Sequence, residues 1–186
     1  MKKWIISLSL IIVIAGAAWI TYLKYPRTID VKLSGVKYQA GAEGAKSGTE
    51  PSTVVIQGVL RTSLKGDRVF KGEISIAGEK IPVPLDQREL EIPFSSDGWG
   101  SMMYSYYTYN ENGATKGILT HHSHLLFANK DFSQVTLLLN TPAKGSQSWN
   151  LDNRYLISAP AASGEEGLII SNTLMSKFLR PVGKLQ

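Results

Sequence analysis

Three hydrophobic patterns follow one another along the chain. Residues 4–23 (WIISLSLIIVIAGAAWITYL) run for 20 positions without a charge. At about 1.5 Å per residue, a helix of that length matches the roughly 30 Å hydrocarbon core of a bilayer. From Thr28 the period becomes two. Ile29, Val31 and Leu33 alternate with polar residues, and Val36 and Tyr38 resume the pattern after a glycine. Residues 53–64 are rich in β-branched side chains. In residues 69–76, Phe70, Gly72, Ile74 and Ile76 lie on one face, with Lys71, Glu73 and Ser75 on the other. Such alternation marks a half-buried strand.

Further strands are predicted at 90–94, 99–109, 115–128, 134–140 and 154–159, with a hairpin at Asn110-Glu111-Asn112-Gly113. Residues 81–85 (IPVPL) read as extended, and their two prolines restrict them to a sheet edge. Residues 40–52 and 141–153 read as loops. After Pro160 the period changes again. Ser163 and Glu166 form a capping box, and Leu168, Ile170, Leu174, Met175, Phe178 and Leu179 suit one side of a helix. Lys177 and Arg180 favour its negative end, and Pro181 stops it. The pattern predicts a mainly β fold of eight or nine strands: an antiparallel meander or partial barrel with one C-terminal α-helix over 163–180, preceded by an N-terminal transmembrane helix. Residues 1–27 form the anchor with basic flanks, and 28–186 the β-rich domain.

Lys2 and Lys3 precede the apolar run and Lys24 and Arg27 follow it, with Trp4, Trp19, Tyr22 and Tyr25 near its ends. This is the layout of a single-pass anchor in a lipid bilayer. The competing reading is a cleaved signal peptide, with Ala15-Gly16-Ala17 or Gly16-Ala17-Ala18 as the small-residue pattern. Cleavage there would leave the apolar stretch from Trp19 to Leu23 as a new terminus. Positive charge is balanced across the run, so it does not set orientation. A short N-terminus ahead of a first apolar span points to a C-terminal domain outside the cytoplasm.

Charge reinforces the division. Of the net +5, four positive charges flank the apolar run; from Thr28 onward 16 Lys and Arg face 15 Asp and Glu, leaving +1. No Lys/Arg run that would track phosphates occurs in the domain, which argues against a nucleic-acid partner. The 186 residues contain no cysteine. That excludes disulfide scaffolds, thiolate metal centres, thiol catalysis and a lipoprotein anchor.

The segment Phe70-Lys71-Gly72-Glu73-Ile74-Ser75-Ile76-Ala77-Gly78 is followed much later by Leu156-Ile157-Ser158-Ala159-Pro160-Ala161 and an acidic-capped helix. This layout resembles a group of small, N-terminally membrane-anchored, β-rich extracytoplasmic proteins of Gram-positive bacteria. The resemblance implies an extracytoplasmic domain and carries over no catalytic residue.

Two features could carry chemistry. All three histidines fall in Thr120-His121-His122-Ser123-His124. On a regular strand His122 and His124 share a face, with His121 opposite. Two imidazoles on one face can bind a divalent metal such as zinc if a carboxylate, Asp97 or Glu91, completes the set. The plainer reading is ordinary half-exposed strand positions, and a third is a pH sensor. The second feature is aromatic. Tyr104 and Tyr106 share a face with Met102, preceded by Trp99; Met103, Ser105, Tyr107 and Tyr109 share the other. Trp99, Tyr104 and Tyr106 are candidates for stacking on envelope glycan or binding a protein segment, against the alternative of cross-strand packing. No G-x-S-x-G or H-E-x-x-H occurs, and no Ser-x-x-Lys stands beside its partner motifs. The reading that follows is a non-enzymatic envelope binding module. Its rival is a metal-binding protein or metal-dependent enzyme using His122 and His124.

Overall fold

The computed structural model describes residues 12–16, 25–41, 48–142, 151 and 154–186. Most of the apolar run 4–23, and with it the anchor expectation, lies outside the described residues; within the run, residues 12–16 are helical. Among the described residues no helix is long and apolar enough to cross a membrane.

The body is one eight-stranded antiparallel sheet: β1 (Arg27–Gln39), β2 (Glu50–Thr62), β3 (Arg68–Ile76), β4 (Leu90–Phe94), β5 (Trp99–Tyr109), β6 (Thr115–Ala128), β7 (Val135–Pro142) and β8 (Arg154–Ala159). The strand order is β4-β3-β2-β1-β8-β7-β6-β5, so two four-stranded meanders meet where β1 pairs with β8. The two outermost strands, β4 and β5, are also consecutive in the chain, joined through the tight turn Ser95–Gly98. A short connection between opposite edges forces the sheet to curl until its ends meet. They touch at Gly100, where a Cβ would meet the Ile92 side chain and lie 3.1 Å from the Pro93 carbonyl oxygen. β4 and β5 form no ladder, so the barrel is nearly closed.

Alternation fills both sides of this sheet. Val54, Ile56, Leu60, Phe70, Ile74, Leu90, Ile92, Met102, Tyr104, Leu126, Leu137 and Ile157 pack the interior. At the end where β1 begins, buried Phe132 caps the interior, its ring centroid 5.4 Å from Phe70 and 5.8 Å from Phe94. At the opposite end Ile81 and Val83 are buried against the core. Their segment is not a sheet strand, unlike the edge strand expected there. Pro82 and Pro84 lack the N–H a ladder needs. The Arg88 guanidinium instead satisfies the carbonyls of Val83 (2.8 Å) and Ile81 (3.1 Å), just after a 3-10 turn at Leu85–Gln87.

A second apolar cluster lies outside the barrel, under the helix α1 (Gly164–Leu174). Val36, Tyr38, Phe127, Leu138 and Leu156 meet Met175 and Leu179 there. The Ser163 side chain accepts from the Glu166 N–H, as the capping box predicts, while the Glu166 carboxylate reaches back to the Ala162 N–H at 2.8 Å. The helix is shorter than 163–180. It ends at Met175, where the chain turns, and the Asn172 side chain holds the Leu185 N–H at 2.9 Å and its carbonyl at 3.1 Å. Lys177 and Arg180 therefore lie beyond the helix; Lys177 Nζ donates to the Ser96 carbonyl at 3.0 Å.

Candidate functional site

β5 and β6 form an arm. β6 pairs with β5 along nearly its whole length, but with β7 only from Leu125 to Ala128. Among the described residues, the β7-side edge of β6 from Thr115 to Ser123 has no strand partner. The other side of the arm is covered: the Tyr107 N–H donates to Gln87 Oε1 at 2.6 Å. Register opposes Tyr107 to Ile118 and Met103 to His122, so these four share the outward face, with Ser105 opposite Thr120 between them. Met103, Tyr107 and Ile118 are 46%, 50% and 62% exposed. Isolated exposed apolar residues are ordinary; here three stand on one face of one strand pair.

The aromatic candidates divide between three environments. Met102, Tyr104 and Tyr106 face inward, as the alternation predicts. Tyr104 is fully buried, so its ring is not offered to a ligand outside. Tyr106 is half-buried against the same core. Trp99 belongs to the other side of the sheet and meets Phe178 edge-on at 6.2 Å. The three do not form one surface. On β5 the exposed rings are Tyr107 and Tyr109.

The histidines also differ from their expected arrangement. Between Met103↔His122 and Ser101↔Leu125, β5 advances two residues and β6 three. One extra residue is therefore inserted at Ser123-His124, opposite buried Met102. A bulge of this kind resets alternation. His121 sits opposite Tyr104 and stacks on it, with centroids 6.3 Å apart and planes at 28°. His122 is exposed beside Met103, while Ser123 is buried and His124 partly so. The regular same-face pairing of His122 with His124 is lost.

Both rings still line one cleft of about 270 Å³ where β6 parts from β7, together with Ser123, Asn140 and Arg154. His124 Nδ1 accepts the Asn140 N–H at 3.4 Å. Burial pushes the His124 imidazole below its ordinary range; Glu79 opposes this, while His121 and Lys37 add to it. Among the described residues no carboxylate lines the cleft: Asp97 belongs to the β4–β5 turn and Glu91 stands opposite Lys71 on β3. The Arg154 guanidinium donates to the Asn140 carbonyl oxygen at 3.2 Å beside the cleft. Among the described residues no three His, Asp or Glu are grouped to hold a metal ion.

A cluster of four buried hydroxyls joins α1 to the sheet. Ser171 Oγ lies 2.6 Å from Tyr38 Oη, 2.8 Å from Ser158 Oγ and 3.1 Å from Thr136 Oγ1. These four hydroxyls bond to one another, with no imidazole or carboxylate among their partners, so nothing there activates a nucleophile. Sequence reasoning missed this cluster and the arm. Ile118 and Leu119, adjacent and set among Lys, Gly, Thr and His, were the available signal for the arm. Ser171, four positions after Gly167 on the helix, was the signal for the cluster.

No family model, curated protein or solved structure matches this chain.

Proposed function

We propose that the protein is a non-enzymatic binding module, held on the outer side of a cell membrane by residues 4–23, which engages an envelope glycan or protein through the outward face of the β5–β6 arm. The observation that carries the binding role is the arm itself: Met103, Tyr107 and Ile118 stand exposed together on a strand pair whose β6 edge lacks a strand partner among the described residues. An unpaired edge beside an apolar face is a site that folded domains normally cover or blunt. The anchor rests on the uncharged 20-residue run and its basic and aromatic flanks. The extracytoplasmic side is supported by the resemblance to anchored Gram-positive proteins.

Because the chain has no cysteine, one introduced cysteine reports location cleanly. Glu111→Cys, in the exposed turn of the arm, should react with a membrane-impermeant maleimide in intact cells. Labelling only after lysis rules out the outward orientation. For the binding role, a photo-crosslinking residue at Ile118 should give a discrete adduct in the envelope, whereas the same residue at Glu73 should not. Equal adducts, or none at either site, remove the arm from consideration.

A further inference from the structure

The end of the barrel where β1 begins carries a groove of about 620 Å³. Arg27, Arg68, Lys130 and Lys177 line it, with Asp97 as the one carboxylate among the described lining residues. The cations come from four separate places: the starts of β1 and β3, the β6–β7 turn, and the turn after α1. Two are fixed by neutral acceptors. Arg68 donates to the Asn129 carbonyl at 3.2 Å and lies 4.8 Å over the Phe94 ring. Lys177 donates to the Ser96 carbonyl at 3.0 Å. Carbonyl oxygens hold a cation in position without cancelling its charge. The ion pairs recorded among the described residues, Lys37–Glu79 and Lys71–Glu89, do not involve these four groups.

The surrounding rim keeps the same sign. Lys65 adds a fifth cation there, and Asp67 and Asp131 bring the carboxylates to three. Asp67 accepts from Ser63 and Asp131 from Ser133. Beside Lys65, the hairpin tip exposes Leu64. An apolar tip next to basic side chains is the pairing that interfacial membrane contacts use.

Chain connectivity gives the groove its neighbour. On the proposed reading, the bilayer ends near Lys24. Three residue steps separate Lys24 from Arg27, at most about 11 Å even when extended. That is close to the Debye length of roughly 8 Å at physiological ionic strength, so charge at this end is felt by the headgroups. We infer that this groove and the Leu64 tip form a docking surface for anionic phospholipid, with Arg27, Arg68, Lys130 and Lys177 receiving headgroup phosphates. The inference rests on the anchor. Docking there turns the opposite barrel end, with the arm, away from the membrane.

The full chain is placed in nanodiscs of neutral phosphatidylcholine, or of phosphatidylcholine mixed with phosphatidylglycerol. A single fluorophore is attached at Ser96→Cys on the groove rim, or at Glu111→Cys on the arm, and the lipids carry a headgroup quencher. In anionic discs the Ser96 label should be quenched and the Glu111 label should not; in neutral discs neither should be. Each removed surface cation should weaken docking about fivefold, so Arg27→Gln with Lys130→Gln weakens it by roughly twenty-five-fold. Lys116→Gln, an equal charge loss at the far end, should leave quenching unchanged. A chain that inserts in both discs with equal quenching at Ser96 overturns the docking and leaves the anchor standing. A chain that enters neither disc overturns the anchor, and the docking with it. Loss of quenching on adding inorganic phosphate at constant ionic strength makes the groove a free-anion site and overturns the lipid assignment.

Discussion

The Tyr38 hydroxyl and the Ser171 hydroxyl lie 2.6 Å apart, fully enclosed between β1 and the helix α1. Ser171 also reaches Ser158 and Thr136, so one helical side chain ties three strands together. Burial raises the Tyr38 pKa, partly offset by its bonds to Ser158 and Ser171. Removing one member of a satisfied buried network leaves its partners short of a bond. Ser171→Ala should destabilise the fold by about 1–3 kcal/mol, read from the urea midpoint at unchanged m-value. A loss under about 0.5 kcal/mol would mean that apolar packing alone seats the helix.

Gly167, one turn earlier, sets how closely the helix approaches. A Cβ there would stand 2.7 Å from Tyr38 Cε1 and 3.2 Å from both Tyr38 Cδ1 and Val36 Cγ2. In an exposed helix, glycine to alanine stabilises by about 1 kcal/mol. Here the clash opposes the propensity, and overpacking of this kind typically costs about 1–3 kcal/mol. Gly167→Ala should therefore lower the thermal midpoint measured by circular dichroism. A higher midpoint would contradict the seating of α1 on Tyr38.

These two positions mark the boundary of what sequence reasoning could reach. The bounds of β4, β5, β6 and β8 follow from local signals: alternation in β4, the aromatic-rich run and the Asn110–Gly113 hairpin for β5 and β6, and Pro160 after β8. The bulge at Ser123-His124 depends on register against β5, and no local pattern encodes it. Residues 81–85 look like an edge strand until Arg88 folds back onto their carbonyls. The helix looks longer because Met175, Phe178 and Leu179 keep apolar spacing, yet they serve a turn that packs on the same cluster. Its deepest line is Gly167, Ser171 and Met175; at Gly167 and Ser171 small side chains admit the sheet, and hydrophobicity gives those two little weight. The histidine and aromatic candidates were correctly placed on β5 and β6, but which way each one faces was set by neighbouring strands.

Tyr104 carries a buried hydroxyl without a hydrogen-bond partner among the described residues. Burial is the main cause of its pKa being pushed up to about 12, with Arg88 lowering it and Glu73 raising it by lesser amounts. Removing an unpaired buried hydroxyl is nearly neutral or stabilising, by up to about 1 kcal/mol. Tyr104→Phe should thus match or exceed the parent in urea. The raised pKa also has a direction in pH. The unfolded chain releases this proton near 10 and the folded chain near 12, so the contribution is intact below about 10 and declines above it. At pH above about 10 the parent should lose more stability than Tyr104→Phe, measured by denaturant titration at each pH. Equal losses would show that the phenol is wet in the folded chain.

His124 gives the opposite pH dependence. Its Nδ1 accepts the Asn140 N–H, which requires the neutral ring, and burial further disfavours the imidazolium. As pH falls through 6.5, the unfolded chain binds a proton that the folded chain still refuses. The stability contributed by neutral His124 is therefore fully present above about 6.5 and declines toward acid. Glu79 works against the shift, and His121 and Lys37 reinforce it. His124→Gln keeps an acceptor for Asn140 and does not titrate. Compared by urea denaturation at about pH 7.5 and pH 5, the parent should lose more stability than this variant. Losses of the same size would mean that the folded protein takes up the His124 proton as readily as the unfolded one, and would place the ring in open water and not in the cleft between β6 and β7.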